Sequence, residues 1–317
     1  HILSDGAGAL HFLHTVAAEY LRLAYGSSIE PSQSVLDINE EPDPREMTND
    51  FPPAREAERK NRQAYKDANV HAGFGDKAAL PLHGKLDRTS PTQLLHFTLD
   101  AGELKAKASA YGCTVTVFLT ALILQACREN STDNKDAKIQ VQVPVNLRPL
   151  FGSRTLRNFS LYCSIRLKRQ DIVGVGELVP EIQAQLAQGT SRAALAGTIE
   201  AAWLLVHLLR FVPLFLKKPV GSFLYGLMGD TVFTSTLSNL GLVRLPSGME
   251  THVDKMDFIL GPGLTNRALC GLITCNGKSV VSITKRTADT GFEISMEKLL
   301  REQGLIPEIE RSPLYGA

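Results

Sequence analysis

The sequence predicts a mixed α/β protein, and three observations predict it. Runs of period two, such as LLHFTL from Leu94 and FSLYCSIRL from Phe159, read as strands. Other stretches place apolar residues at helical spacing, and one of them, VTVFLTALILQA from Val115 to Ala126, is apolar on every side, as a buried helix is. Strands and helices follow one another without strict alternation, and no internal repeat is evident.

The elements follow in order. A first helix is expected just after Gly6, with Leu10, Leu13, Ala17 and Leu21 on one face, Asp5 as its cap and Gly26 as its stop. Residues from about Ser32 to Pro91 are rich in Pro, Asp, Glu, Asn and Gly. They read as a long loop with a short helix around Ala54 to Asn69, and loops of that length are often functional. The strand at Leu94 leads to a helix capped by Asp100, and the apolar helix that follows is capped by Thr114. The strand KIQVQVPV, the segment NLRPLFGSRTLRN and the strand FSLYCSIRL come next. The pattern from about Gly176 to Leu227 is helical. A strand around Val232 to Leu237 is expected to run into a turn at SNLG, and a strand KMDFIL to run into GPG. ALCGLITC and SVVSITK flank Asn276-Gly277, a strong hairpin signal, and a last helix runs from about Ser295 to Gln303.

Bulk properties narrow the function. The formal net charge of +1 gives no basis for binding nucleic acid through phosphates. The short basic clusters Lys217-Lys218 and Lys285-Arg286 read as solvated surface. The five cysteines are odd in number and form no C-x-x-C pair, so they read as reduced thiols used as small core residues. The opening residues lack the features of a signal peptide, and a cytoplasmic location is expected. The most apolar stretch, Thr198 to Leu216, contains Glu200, His207, Arg210 and Pro213. It reads as buried or amphipathic helix, with an interfacial helix that touches lipid as the other option.

The candidate chemistry lies at the start of the chain. His1 stands four residues before Asp5, with Gly6 after it. Histidine is the commonest general base because it titrates near working pH. Two plainer readings of the same residues are polar loop positions and a pair of metal ligands, and the latter lacks a third ligand at good spacing. No metal is expected.

The order of motifs resembles the chloramphenicol acetyltransferase-like superfamily of acyltransferases. Its motif is H-H-x-x-x-D-G, and HILSDG (His1 to Gly6) matches from the second histidine onward. NLRP (Asn146 to Pro149), then RTLRNFS, then STLSNLG (Ser235 to Gly241) follow in the order of the alcohol acetyltransferase branch, which is akin to condensation domains. The tryptophan of the D-F-G-W-G motif of some relatives is absent from DFILGPG. The resemblance implies a further N-terminal segment before the histidine pair, which is expected to belong with this chain.

By the same resemblance, the fold is two chloramphenicol acetyltransferase-like subdomains, each a mixed sheet with helices, with a channel between them. Residues 1–90 would be the remainder of the first subdomain plus linker, and residues 91–317 the second. His1 would be the catalytic base, and Asp5 a structural carboxylate paired with an arginine, for which Arg148 is the candidate. Gly6 and Asn146 would support the site. Ser235, Thr236, Ser238 and Asn239 are candidates to hold the oxyanion or substrate. Strand alternation puts Thr236 and Ser238 on one face and Ser235 and Asn239 on the other and leaves open which face meets the site; Ser238 and Asn239 are the preferred candidates. Asp257 and Gly261 are expected to shape the channel, and Arg154 and Arg157 could meet a phosphate or pantetheine arm.

The implied reaction is direct transfer of an acyl group from a thioester to a hydroxyl, without an acyl-enzyme. Amide formation of the condensation type and a non-catalytic module of the same fold are the alternatives. No cofactor is bound permanently. Acyl-CoA or an acyl carrier protein would supply the thioester, and the apolar stretch around Trp203 to Leu216 favours a hydrophobic alcohol as acceptor.

Overall fold

A computed structural model describes residues 3–27, 29–32, 34–52, 55–56, 78–87, 92–213, 215, 217, 230–263 and 265–312. The expected helix around 54–69 and the end of the helical region near 227 fall mostly outside these residues.

Seven strands form one mixed sheet: β1 (Gln93–Asp100), β2 (Lys138–Asn146), β3 (Ser160–Lys168), β4 (Ser235–Val243), β5 (Ala268–Cys275), β6 (Lys278–Lys285) and β7 (Glu308–Arg311). Their order across the sheet is β3-β2-β4-β5-β6-β1-β7. β4 runs parallel to both neighbours, β2 and β5, and the other pairs are antiparallel. Before residue 93 the described chain contributes helix α1 (Gly6–Tyr25), a 3-10 turn, helical residues at 51–52 and 55–56, and an isolated bridge from Leu82 to Ser131.

Local signals explain most elements. The Asp5 carboxylate accepts from the Gly8 N–H to cap α1, and Gly26 closes it in the left-handed region at φ 68°. Asp100 caps α2 (Ala101–Ala110) and Thr114 caps α3 (Val115–Glu129). The β5–β6 hairpin turns at Asn276 and Gly277, with φ 49° and 78°. That is the pair of positive angles a two-residue turn of this hand requires.

One face of the sheet carries the core. Leu95, Phe97, Val141, Ile165, Leu237, Cys270, Leu272, Val281 and Ile283 pack there against α2, α3, α4 (Val175–Gly189) and α6 (Gly291–Glu302). Ten residues of α3 are buried, as a helix apolar all round demands. Burial pushes the Cys163 thiol up to about 11 and Cys270 up to about 12, so neither supplies a thiolate at neutral pH.

The opposite face is polar over β1, β2, β4 and β6, and the segment 253–263 crosses it. The sequence reads KMDFIL as a strand; the structure makes it an extended crossing. Both edges of β5 are already taken, by β4 and β6. The segment bonds side chains instead: Thr284 Oγ1 donates to the Leu260 carbonyl, and Asn276 Nδ2 to that of Val253. Gly271 permits the crossing, since a Cβ there would stand 2.2 Å from the Phe258 carbonyl oxygen.

One other expectation changes. Lys285 is buried in an ion pair with Glu293 of α6, under that helix's first turn, and is not solvated surface. Helix α5 (Arg192–Arg210) is amphipathic, one of the readings its sequence allowed. Leu195 and Ile199 pack with Leu147 and Phe159, while Leu204, Val206 and Leu208 face outward.

Candidate active site

A cavity of about 760 Å³ opens on the polar face of the sheet. Its walls come from four places: the start of α1 (Asp5, Gly6, Ala7), strands β2 and β3 (Gln142, Pro144, Asn146, Ser160, Tyr162), strand β4 (Thr236, Ser238, Asn239), and the crossing segment from Phe258 to Gly263. The N-terminal, positive end of α1 therefore opens on the cavity, where it favours negative charge.

Asp5 is the anchor of this corner. Its carboxylate accepts two bonds from Arg148, from Nη1 to Oδ2 and from Nη2 to Oδ1, each at 2.9 Å. It also accepts from the Gly8 N–H at 3.0 Å and the Phe159 N–H at 2.9 Å. Arg148 spends its remaining donors on the carbonyls of Thr155 and Arg157 and on Asn146 Oδ1. Both side chains are nearly inaccessible, at 4% for Asp5 and 12% for Arg148. Burial alone would raise the Asp5 pKa; the guanidinium and the two amides outweigh it and hold the carboxyl below its ordinary range. The arrangement ties the loop before α1 to the turn Arg148–Phe151 after β2. Asn146 thus steadies Arg148 as well as bordering the cavity.

Two glycines allow the close approach. A Cβ on Gly6 would come within 2.8 Å of Leu240 Cδ2. A Cβ on Gly8, a residue the sequence reading passed over, would stand 2.1 Å from the Leu156 carbonyl oxygen. Gly8→Ala should therefore lower stability by about 1–3 kcal/mol, although alanine is favoured over glycine in a free helix by roughly 1 kcal/mol. Urea unfolding of the variant checks the sign, and a stabilised variant would show that the contact relaxes at no loss.

Strand β4 settles which face meets the cavity. STLSNLG is itself strand and not the turn after one: Ser235 and Thr236 pair with β2, and Leu237 to Asn239 pair with β5. Thr236 and Ser238 turn to the cavity. Thr236 Oγ1 bonds Gln142 Oε1 at 3.1 Å, and the Ser238 hydroxyl has no partner among the described residues. Ser235 does not belong to the site: it is buried and donates to the Ala268 carbonyl at 2.9 Å, on the side where Leu237 joins the core. Asn239 borders the cavity at an irregularity of the β4–β5 register, held by Thr116 Oγ1 at 2.9 Å and by the Gly241 N–H.

Other expected residues lie apart. Gly261 lines the cavity and Asp257 does not; Asp257 stands 3.9 Å from Lys255, and its neighbour Phe258 takes the wall. Arg154 faces Asp43 and neither it nor Arg157 lines the cavity. His1 lies outside the described residues. Sequence reasoning missed Gln142, Tyr162 and Phe258. The signal for Gln142 was present, as a polar residue recurring at period two in the apolar strand KIQVQVPV. Among the described residues no three His, Cys, Asp or Glu side chains stand together as metal ligands.

No protein-family profile matches the chain, and a search of curated proteins finds no match. Solved structures do match. The nonribosomal peptide synthetase FmoA3, in its AMPPNP-bound form, is 16% identical with a TM-score of 0.59, over 95% of this chain and 29% of that one. The TRI3 trichothecene 15-O-acetyltransferase of Fusarium sporotrichioides is 14% identical with a TM-score of 0.54, over 92% of this chain and 62% of that one. The first condensation domain of the calcium-dependent antibiotic synthetase, in complex with a substrate analogue, is 15% identical with a TM-score of 0.53, over 96% and 62%. The chain thus spans less than two thirds of each. At these identities the likeness is one of fold: the mixed α/β fold found in a condensation domain and in an O-acetyltransferase.

Proposed function

We propose that the protein is an acyltransferase of the alcohol acetyltransferase type. It moves an acyl group from a thioester, either acyl-CoA or an acyl carrier protein, directly to a hydroxyl acceptor. The observation that carries this reading is the Asp5–Arg148 lock. It fixes the D-G end of the H-x-x-x-D-G motif at the wall of a cavity into which the Ser238 hydroxyl opens. A shared fold with an O-acetyltransferase supports it.

In this mechanism the His1 imidazole takes the proton of the acceptor hydroxyl, and the oxygen attacks the thioester carbonyl carbon. The carbonyl oxygen becomes an oxyanion, met by the hydroxyl of Ser238 and assisted by the N-terminal end of α1. The C–S bond then breaks, the proton on His1 passes to the departing sulfur, and ester and thiol leave. No covalent enzyme intermediate forms and no cofactor is held between turnovers. The Phe258–Pro262 wall, with Leu161 and Leu269, suits a hydrophobic acceptor or acyl chain. The location would be cytoplasmic. The likeness to a peptide synthetase and a condensation domain favours a second reading, amide formation between carrier-bound substrates.

Thiol release by the full-length protein tests both readings. Donors would be acetyl-CoA, longer acyl-CoAs and an acyl-loaded carrier protein; acceptors would be a panel of alcohols and amines. Release that depends on an alcohol is the expected result. Release only with a carrier donor and an amine would replace the first reading by the second, and no release with any pair would sink both.

A further inference from the structure

Among the described residues, helix α5 meets the body from Arg192, which lies 5.1 Å from the Phe151 ring centre, to Trp203, whose ring lies 3.5 Å under the Arg55 guanidinium. Leu195 and Ile199, one turn apart, are buried with Leu147 and Phe159, and Glu200 pairs with Arg55 at 2.6 Å. Beyond Trp203 the helix changes character. Leu204 is 53% exposed and Leu208 63%; Phe211 and Phe215 are 86% and 76% exposed. Spacings of four and three put Leu204, Leu208 and the C-cap Phe211 on one side of the helix, and Phe215 follows beyond its end. After the break at 211–213 the chain turns helically again, where the Lys217 N–H bonds the Pro213 carbonyl at 3.1 Å. Only 12% of the most apolar window of α5 is buried, though its length and composition would suffice to cross a membrane. Four large apolar side chains exposed within twelve residues are unfavourable in water and mark an interaction face.

Charge selects the partner. From Ala201 to Gly229 the sequence contains Arg210, Lys217 and Lys218 and no Asp or Glu. A second copy would set Arg210 and Lys217 against their own counterparts and meet repulsion. An anionic surface would meet attraction beside the exposed apolar side chains. Because Leu195 and Ile199 bind the first half of α5 to the protein, the helix lies along such a surface and does not cross it.

The geometry points to a peripheral membrane contact: the side chains of Leu204, Leu208, Phe211 and Phe215 seat in the headgroup–acyl boundary of an anionic bilayer, with Arg210 and Lys217 against its headgroups. The test is pelleting of the full-length protein with vesicles of phosphatidylcholine alone and of phosphatidylcholine mixed with phosphatidylglycerol. Binding is expected on the anionic vesicles and should weaken with added salt. The double variant Phe211→Ser, Phe215→Ser should raise the apparent Kd at least about tenfold. Both side chains are exposed, so its thermal melt should match that of the parent. Should it nevertheless unfold, Arg210→Glu provides the second test, with weaker binding to anionic vesicles expected. No binding, equal binding to both vesicle types, or binding untouched by the variants would overturn the inference. So would a concentration-dependent dimer, lost in the double variant, without binding to lipid.

Discussion

Replacing Arg148 with methionine is expected to lower folding stability by about 3–5 kcal/mol, because it leaves the buried Asp5 carboxylate without its cation. The size follows from how completely the pair is enclosed. Asp5 has four donors and Arg148 meets five acceptor contacts, with water nearly excluded from both side chains. Arg148→Lys should rescue little, since a single ammonium cannot hold both carboxylate oxygens and reach the Thr155 and Arg157 carbonyls. The double variant Asp5→Leu, Arg148→Met should lose less than the sum of the single changes, because it leaves no charge buried alone. The pH dependence has a definite sign. In the parent the Asp5 pKa is depressed, so its contribution is present above the ordinary Asp value of about 3.9 and is lost as pH falls through the folded value. In Arg148→Met that depression is lost, so the variant has less stability to lose on acidification: its deficit against the parent should be full at neutral pH and should narrow as pH falls below the ordinary Asp value. Urea midpoints across a pH series measure this, and an Arg148→Met variant within about 1 kcal/mol of the parent at neutral pH would show that the pair is dispensable to the fold.

What was legible in the sequence depended on whether the signal was local. Helix α1 carries its own cap at Asp5 and its own stop at Gly26, and the β5–β6 hairpin is written in Asn276-Gly277. Helix α3 announces its burial by having no polar side. The misreadings share a different cause. KMDFIL has the composition of a strand, but strand pairing needs a free edge, and both edges of β5 were taken by residues far away in sequence. Lys285 looks like surface until Glu293 is folded over it. Ser235 and Ser238 are equivalent in composition, and only the parallel pairing of β4 between β2 and β5 decides which of them reaches the cavity. The pairing of Asp5 with Arg148 was accessible because a resemblance supplied it; residues 143 positions apart offer no local hint.

The last prediction separates catalysis from architecture at β4 and at the motif. His1→Ala should reduce turnover by about 10²–10⁴-fold, the range for losing a positioned general base. Ser238→Ala should reduce kcat by up to about 10²–10³-fold, the range for losing one oxyanion donor. The two losses should differ in kind. Removing the base should abolish the pH dependence of the rate near the histidine pKa, which Ser238→Ala should leave in place. The Ser238 loss should fall on kcat with KM nearly unchanged, since the oxyanion exists only after attack and ground-state binding does not use that bond. Ser235→Ala is the control from the same strand. Its hydroxyl bonds the buried Ala268 carbonyl, so it should lower stability by about 1 kcal/mol and leave kcat alone. If Ser235→Ala were the variant that lost turnover while Ser238→Ala kept it, the face of β4 assigned to the substrate would be the wrong one. If both kept it while His1→Ala did not, the oxyanion would depend on donors elsewhere in the cavity, and Asn239, which borders it, would be the next to replace.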